Sequence, residues 1–215
     1  MPDAITTESD RPERRAAVVL AGHQGDAVTA RAALSDPDGT VRAAALSALL
    51  RCAAITRDDL AAGVEDPDPV VRRRAVELVP RSVAADVAAP DLVALLPDPD
   101  DRVTEMACFA AGEIESPTPD VVAAVVSLAT GHADALCREA AVAAIGSWGA
   151  EEGRAAVLAA CHDKAPVRRR AVLALAQFDG PDVDAALTRL TGDRDLQVRQ
   201  SAEDLVDILH GHDIG

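Results

Sequence analysis

A chain of 215 residues that is 49% hydrophobic and 27% charged has the composition of a folded, soluble domain, yet one Trp, two Phe and no Tyr leave its core to Ala, Val and Leu. A net charge of −15 excludes a surface built throughout to neutralise phosphates, which needs a broad basic face. No apolar run approaches the roughly 20 residues of a membrane span, so a soluble, cytoplasmic protein without membrane contact is expected.

In chain order, residues 1–10, "MPDAITTESD", carry no apolar pattern and are expected to be disordered. Pro12 to His23 predicts a helix that covers the first repeated unit of the chain. Its Ala16 to Gly22 run is barely long enough for a secretory leader and is closed by His23-Gln24, so it reads as a helix of the mature protein.

From Asp36 onward one pattern recurs: "DPDGTVRAAALSAL", "DPDPVVRRRAVELV" from Asp66, "DPDDRVTEMACFAAG" from Asp98, "HADALCREAAVAAIG" from His132, "HDKAPVRRRAVLALA" from His162 and "DRDLQVRQSAEDLV" from Asp193. The arginine position is filled by Arg42, Arg72, Thr104, Arg138, Arg168 and Arg199, so the period is near 31 residues. Three residues before each Val position, Asp38, Asp68, Asp100, Asp134 and Asp195 predict helix N-caps, whereas the fifth copy has Lys164 there and Asp163 one place earlier. Apolar residues then fall at helical spacing, as at Val41, Ala45, Leu46 and Leu49. Gly112 and Gly146 stand where two of these helices are expected to end.

Ahead of each turn lies a shorter apolar segment: "DAVTARAAL", "DDLAAGV", "APDLVALL", "PDVVAAVVSLA", "GRAAVLAAC" and "PDVDAALTRL". Each predicts the first helix of a pair, and the Asp-Pro that comes after several of them stops it, because proline pushes the preceding residue out of helical geometry. Glu115 to Pro119 predicts a longer loop. In the last helix Glu203, Asp204 and Asp207 oppose Ala202, Leu205, Val206 and Leu209, the arrangement expected of a capped end, and residues 211–215 read as a flexible tail. The array over residues 11–210 is expected to be a single domain finished within the chain, since such pairs bury their faces only by stacking.

The pattern D-P-[D/S]-x-x-V-R-x-x-A-x-x-A-L resembles the short HEAT-type repeat found in the phycobilisome lyase family, over roughly residues 26 to 210. The resemblance implies an all-α, right-handed α/α superhelix of six helix pairs plus an N-terminal capping helix. It also implies a ladder between neighbouring repeats of the Val-Arg arginine with turn aspartates, which makes Arg72 a partner of Asp66 and Arg168 a partner of the acids near Asp163. Thr104 breaks that ladder. Arrays of this type serve mainly as binding scaffolds, which implies a protein partner.

The hexapeptide "VRRRAV" occurs at Val71 and again at Val167. Its second and third arginines, Arg73, Arg74, Arg169 and Arg170, occupy positions filled elsewhere by Ala43, Ala44, Glu139 and Ala140, so the repeat does not require them. They are read as a solvated face or, more sharply, as two basic patches that grip an acidic segment of a partner.

Other chemistry finds little support. HEAT-like hydroxylases carry His-Glu pairs after the Val-Arg position, and this chain has no His-Glu pair. His23, His132, His162, His210 and His212 fall in predicted loops or termini, with His210-Gly211-His212-Asp213 a weak metal-holding tail at most. Cys52, Cys108, Cys137 and Cys161 form no C-x-x-C pair and read as small apolar residues of a reducing compartment. Phosphate-loop, hydrolase-elbow and dinucleotide motifs are missing. Nucleic-acid binding is disfavoured by the acidity and the lone Trp148. The sequence therefore points to a non-catalytic scaffold without cofactor or metal, with a bilin lyase-like accessory enzyme as the alternative.

Overall fold

A computed structural model describes residues 10–84 and 92–211, which form two compact units. Every regular element among them is helical.

In the first unit, α1 (Arg11–Gln24) precedes two pairs: α2 (Ala27–Ala32) with α3 (Gly39–Arg51), and α4 (Arg57–Val64) with α5 (Pro69–Ala84). The second unit holds four more, α6 (Leu92–Leu95) with α7 (Asp101–Gly112), α8 (Pro119–Gly131) with α9 (Ala135–Trp148), α10 (Arg154–Ala160) with α11 (Ala165–Leu175), and α12 (Pro181–Leu190) with α13 (Leu196–Gly211). That is six pairs preceded by one helix, as the period predicts. The disorder expected of residues 1–9 and the flexible tail expected at 212–215 lie outside the described residues.

The caps form as the acids require. Asp38, Asp68, Asp100, Asp134 and Asp195 each accept a first-turn amide hydrogen bond, at 2.9, 2.9, 2.9, 2.7 and 3.0 Å. Each places a carboxylate at the positive end of its helix. Lys164 makes no side-chain cap, and Asp163 instead accepts the Lys164 amide at 2.6 Å.

Second helices stack on second helices. In the first unit α3 packs against α1 and α5; in the second, α9 packs against α7 and α11, and α11 against α13. Ala45, Leu46 and Leu49 are buried in the first unit, and Ala141, Val142, Ile145, Ala171, Val172 and Leu175 in the second. Small side chains permit close approach, and Gly112 and Gly146 show how close. An added Cβ on Gly146 meets the Ala174 Cβ at 2.8 Å and its Cα at 3.0 Å, and one on Gly112 meets the Ala144 Cα at 3.0 Å. Gly112 stands where its helix ends, as expected, and only Gly146 departs from the sequence reading. Gly112 is the last residue of α7, Gly146 lies inside α9, and the left-handed cap of α9 is Gly149 at φ 59°. Ala202 of the last helix is buried as expected, but Leu209 is exposed.

Candidate functional site

The turns that join the two helices of each pair carry the principal polar network. In four of the turns an aspartate at the first position accepts an amide two positions on: Asp36 from Asp38, Asp66 from Asp68, Asp98 from Asp100 and Asp193 from Asp195, at 2.8 to 2.9 Å. In three turns a carboxylate also receives an arginine from the preceding repeat. Arg42 grips Asp66 through Nε and NH2 at 2.8 and 2.7 Å, Arg138 grips Asp163 at 2.6 and 2.7 Å, and Arg168 grips Asp193 at 2.8 and 2.7 Å. The remaining guanidinium nitrogen donates to carbonyls of the arginine's own turn, as Arg42 does to Asp36 and Pro37 and Arg138 does to His132 and Ala133. Each arginine thus locks its own turn and the next one.

This corrects the expected register of the ladder. Arg72 takes the carbonyl of Asp66 at 3.0 Å, while the Asp66 carboxylate belongs to Arg42. Arg168 likewise takes the Asp163 carbonyl at 2.6 Å and gives its bidentate pair to Asp193. The arginine hydrogen bond is the largest influence on Asp163 and Asp193 and holds both below the usual carboxylate value of 3.8. For Asp36 and Asp66 burial is the largest single influence and acts upward, but the arginine, the turn amide and the surrounding charge together leave them lowered.

Two connections escaped the sequence reading. Arg14 of α1 pairs with Asp36 at 2.8 Å, so the capping helix plays the second-helix part of an incomplete repeat. Its signal was present, an arginine 28 positions before Arg42 on an amphipathic helix. First helices are also tied to first helices, by Arg31 to Asp59 at 2.7 Å and by Arg154 to Asp182.

Of the four arginines singled out as partner-binding, Arg73 and Arg74 lie on α5 and Arg169 and Arg170 on α11. Arg73 is exposed and has no hydrogen-bond or ion-pair partner among the described residues. Arg74 pairs with Glu77 at 2.8 Å, Arg169 donates to Gln197 at 2.6 Å, and Arg170 approaches Glu139 at 3.6 Å. All but Arg73 are half-buried.

His23 and His210 stand in the last turns of α1 and α13. The cysteines are free; Cys108, Cys137 and Cys161 are buried and Cys52 partly so. Burial pushes the Cys108 and Cys137 thiols up to about 12 and that of Cys161 to about 11. Cys137 lies with Asp101 and His132 in a group whose ligand-capable atoms are within 4.8 Å of one another. Where the α7–α8 loop folds over Trp148, whose Nε1 donates to the Ile114 carbonyl at 3.1 Å, an open pocket of about 510 Å³ is lined by Pro117, Pro119, Val122 and Val126 between Glu115 and Glu152. No described helix is long and apolar enough to cross a membrane.

Comparison with known proteins agrees with this geometry. No curated protein matches the chain by sequence. Among solved structures, a designed armadillo repeat protein is 19% identical with a TM-score of 0.55, over 86% of this chain and 99% of that one. A second designed armadillo repeat protein, in complex with the peptide (KR)4, is 18% identical with a TM-score of 0.57, over 85% and 98%. An engineered protein is 18% identical with a TM-score of 0.59, over 95% and 65%. These likenesses establish an all-α HEAT/armadillo-like solenoid fold. The HEAT-repeat family matches residues 57–145 and 122–206, together more than half of the chain, and with the turn ladder and the six helix pairs in place the protein belongs to the HEAT-repeat family.

Proposed function

We propose that the chain is a non-catalytic protein-interaction scaffold whose second helices present arginines to an acidic segment of a partner, Arg73 and Arg74 at one patch and Arg169 and Arg170 at the other. The observation that carries the reading is the division of labour inside "VRRRAV". In the second copy the first arginine, Arg168, is consumed by the ladder, while the next two leave the repeat pattern and reach solvent or a surface partner. Arg73, exposed and unpartnered among the described residues, is the strongest single anchor. Residues 11–210 would work as one domain, and the four free cysteines support the cytoplasm as its place.

A second reading is a basic segment. It is favoured by the net charge of −15, which steers cations toward the protein, and by the in-chain partners already held by Arg74, Arg169 and Arg170. One of the similar designed proteins is in complex with the peptide (KR)4. Fluorescence anisotropy with labelled oligoglutamate and oligoarginine peptides separates the two. Binding of the acidic probe that is lost in Arg73→Glu/Arg74→Glu or in Arg169→Glu/Arg170→Glu supports the first reading. Binding of the basic probe alone, strengthened by those substitutions, replaces it with the second.

A further inference from the structure

The junction between the third and fourth repeats departs from the pattern at four places at once. Thr104 replaces the ladder arginine, and His132 replaces the turn aspartate that such an arginine grips elsewhere. Cys137 stands where the other copies have Val41, Val71, Val103, Val167 and Val198. Asp101 is the acidic residue at a first helical position otherwise filled by Gly39, Pro69, Ala135, Ala165 and Leu196.

The substitutions are coupled in space. Thr104 keeps half of the arginine's work, since its Oγ1 donates to the Asp98 carbonyl at 3.2 Å, but it brings no cation to the following turn. His132 keeps half of the aspartate's work, since its Nδ1 accepts the Asp134 amide at 3.2 Å. Its Nε2 faces an Asp101 carboxylate oxygen at 3.9 Å. The Cys137 Sγ lies 3.1 Å from the Asp101 carbonyl, and the three ligand-capable atoms fall within 4.8 Å of one another.

We propose that this junction binds a divalent, Zn²⁺-type cation through the Asp101 carboxylate, the His132 imidazole and the Cys137 sulfur, so that a metal ties the third repeat to the fourth where the Arg42–Asp66, Arg138–Asp163 and Arg168–Asp193 junctions use a guanidinium. One imidazole, one thiolate and one carboxylate form a donor set suited to zinc, and three protein ligands leave a position for water. Bonds of about 2.0–2.3 Å place tetrahedral donors roughly 3.3–3.8 Å apart, so the cluster closes by about an ångström from its present spread. Loading releases the thiol proton to solvent and moves the imidazole proton from Nε2 to Nδ1, at the expense of the turn hydrogen bond from Asp134. The carboxylates of Asp134, Asp101 and Glu105 surround the thiol, and their negative charge favours a cation.

The test uses the full chain, stripped of metal and titrated with Co²⁺ and then Zn²⁺. The expected result is one Co²⁺ per chain with a thiolate-to-cobalt charge-transfer band, abolished by stoichiometric Zn²⁺. Cys137→Val restores the residue type of the other repeats, so it is expected to fold, checked by circular dichroism, and to lose the band, while His132→Ala, which removes a donor without supplying one, is expected to weaken Co²⁺ binding. A folded Cys137→Val chain that still binds the metal stoichiometrically overturns the proposal and moves the site to a different donor set such as the His210–Asp213 tail. A wild-type chain that gives no thiolate band also overturns it. Neither result bears on the arginine patches, which are read with peptides.

Discussion

Arg168→Ala is the sharpest perturbation of the ladder, because it removes one arginine of a triplet whose neighbours have different work. The Arg168 side chain is 7% exposed and that of Asp193 is 11% exposed. Three short hydrogen bonds leave from this guanidinium, two to Asp193 and one of 2.6 Å to the Asp163 carbonyl. Truncation leaves the Asp193 carboxylate to the Asp195 amide, which donates to it at 2.8 Å. Removing one partner of a buried pair costs about 3–5 kcal/mol, and the residual solvent contact here places the expectation near the lower end, about 3 kcal/mol. In a chain of this size that lowers the melting temperature by roughly 6–12 °C. Arg169→Ala, which gives up a surface contact to Gln197, is expected to cost less than about 0.5 kcal/mol. Urea unfolding followed by circular dichroism measures the difference, and hydrogen exchange in α11 and α13 locates it, since repeat arrays need not unfold as one unit. A double-mutant cycle with Asp193→Asn is expected to show a coupling above about 1 kcal/mol. Equal costs for Arg168→Ala and Arg169→Ala, or strict additivity in the cycle, would refute the assignment of Arg168 to the ladder.

The ladder also sets an acid limit. Asp36, Asp66, Asp163 and Asp193 are lowered in the folded chain, so their stabilisation is complete above the unfolded value near 3.8 and is lost as pH falls through the lower folded values. Urea midpoints are expected to stay level in this respect from pH 7 to about 5 and to drop toward pH 3, less steeply in Asp193→Asn; a level profile to pH 3 contradicts this. Gly146→Ala sets two effects against each other. Helix propensity favours alanine by about 1 kcal/mol, but the contact at 2.8 Å with Ala174 forces α9 and α11 apart, and a net loss of about 1–2 kcal/mol is expected by thermal denaturation. Asp100→Ala is expected to cost about 1 kcal/mol as a lost cap, and Lys164→Asp to gain up to about that amount at the second-helix N-cap position that lacks the acid of the other copies. A neutral Asp100→Ala would count against the cap.

Local signals made the array legible. An Asp that caps, a Pro that interrupts and apolar residues at helical spacing act within a few positions of themselves, so they read the same in sequence and in space. The six pairs and their caps follow from them. The arginine register did not follow, because Asp66 offers two acceptors, a carbonyl used by Arg72 and a carboxylate used by Arg42, and only the stacking of one turn on the next assigns them. Gly146 failed for a similar reason: a glycine near a helix end reads as a stop, and its closeness to Ala174 exists only between helices.

The sequence by itself determined that the chain is an array of helix pairs with a period near 31 residues, where each pair begins, and that two arginine runs exceed what the period asks for. The tertiary structure decided which arginine serves which turn. It also brought Asp101, His132 and Cys137 together, the latter two 31 and 36 positions beyond the first, with no metal-motif spacing. The physical reason is that in a solenoid the contacts that carry charge and chemistry run between repeats, one period apart. Spacing rules written for a single helix or loop do not reach that far.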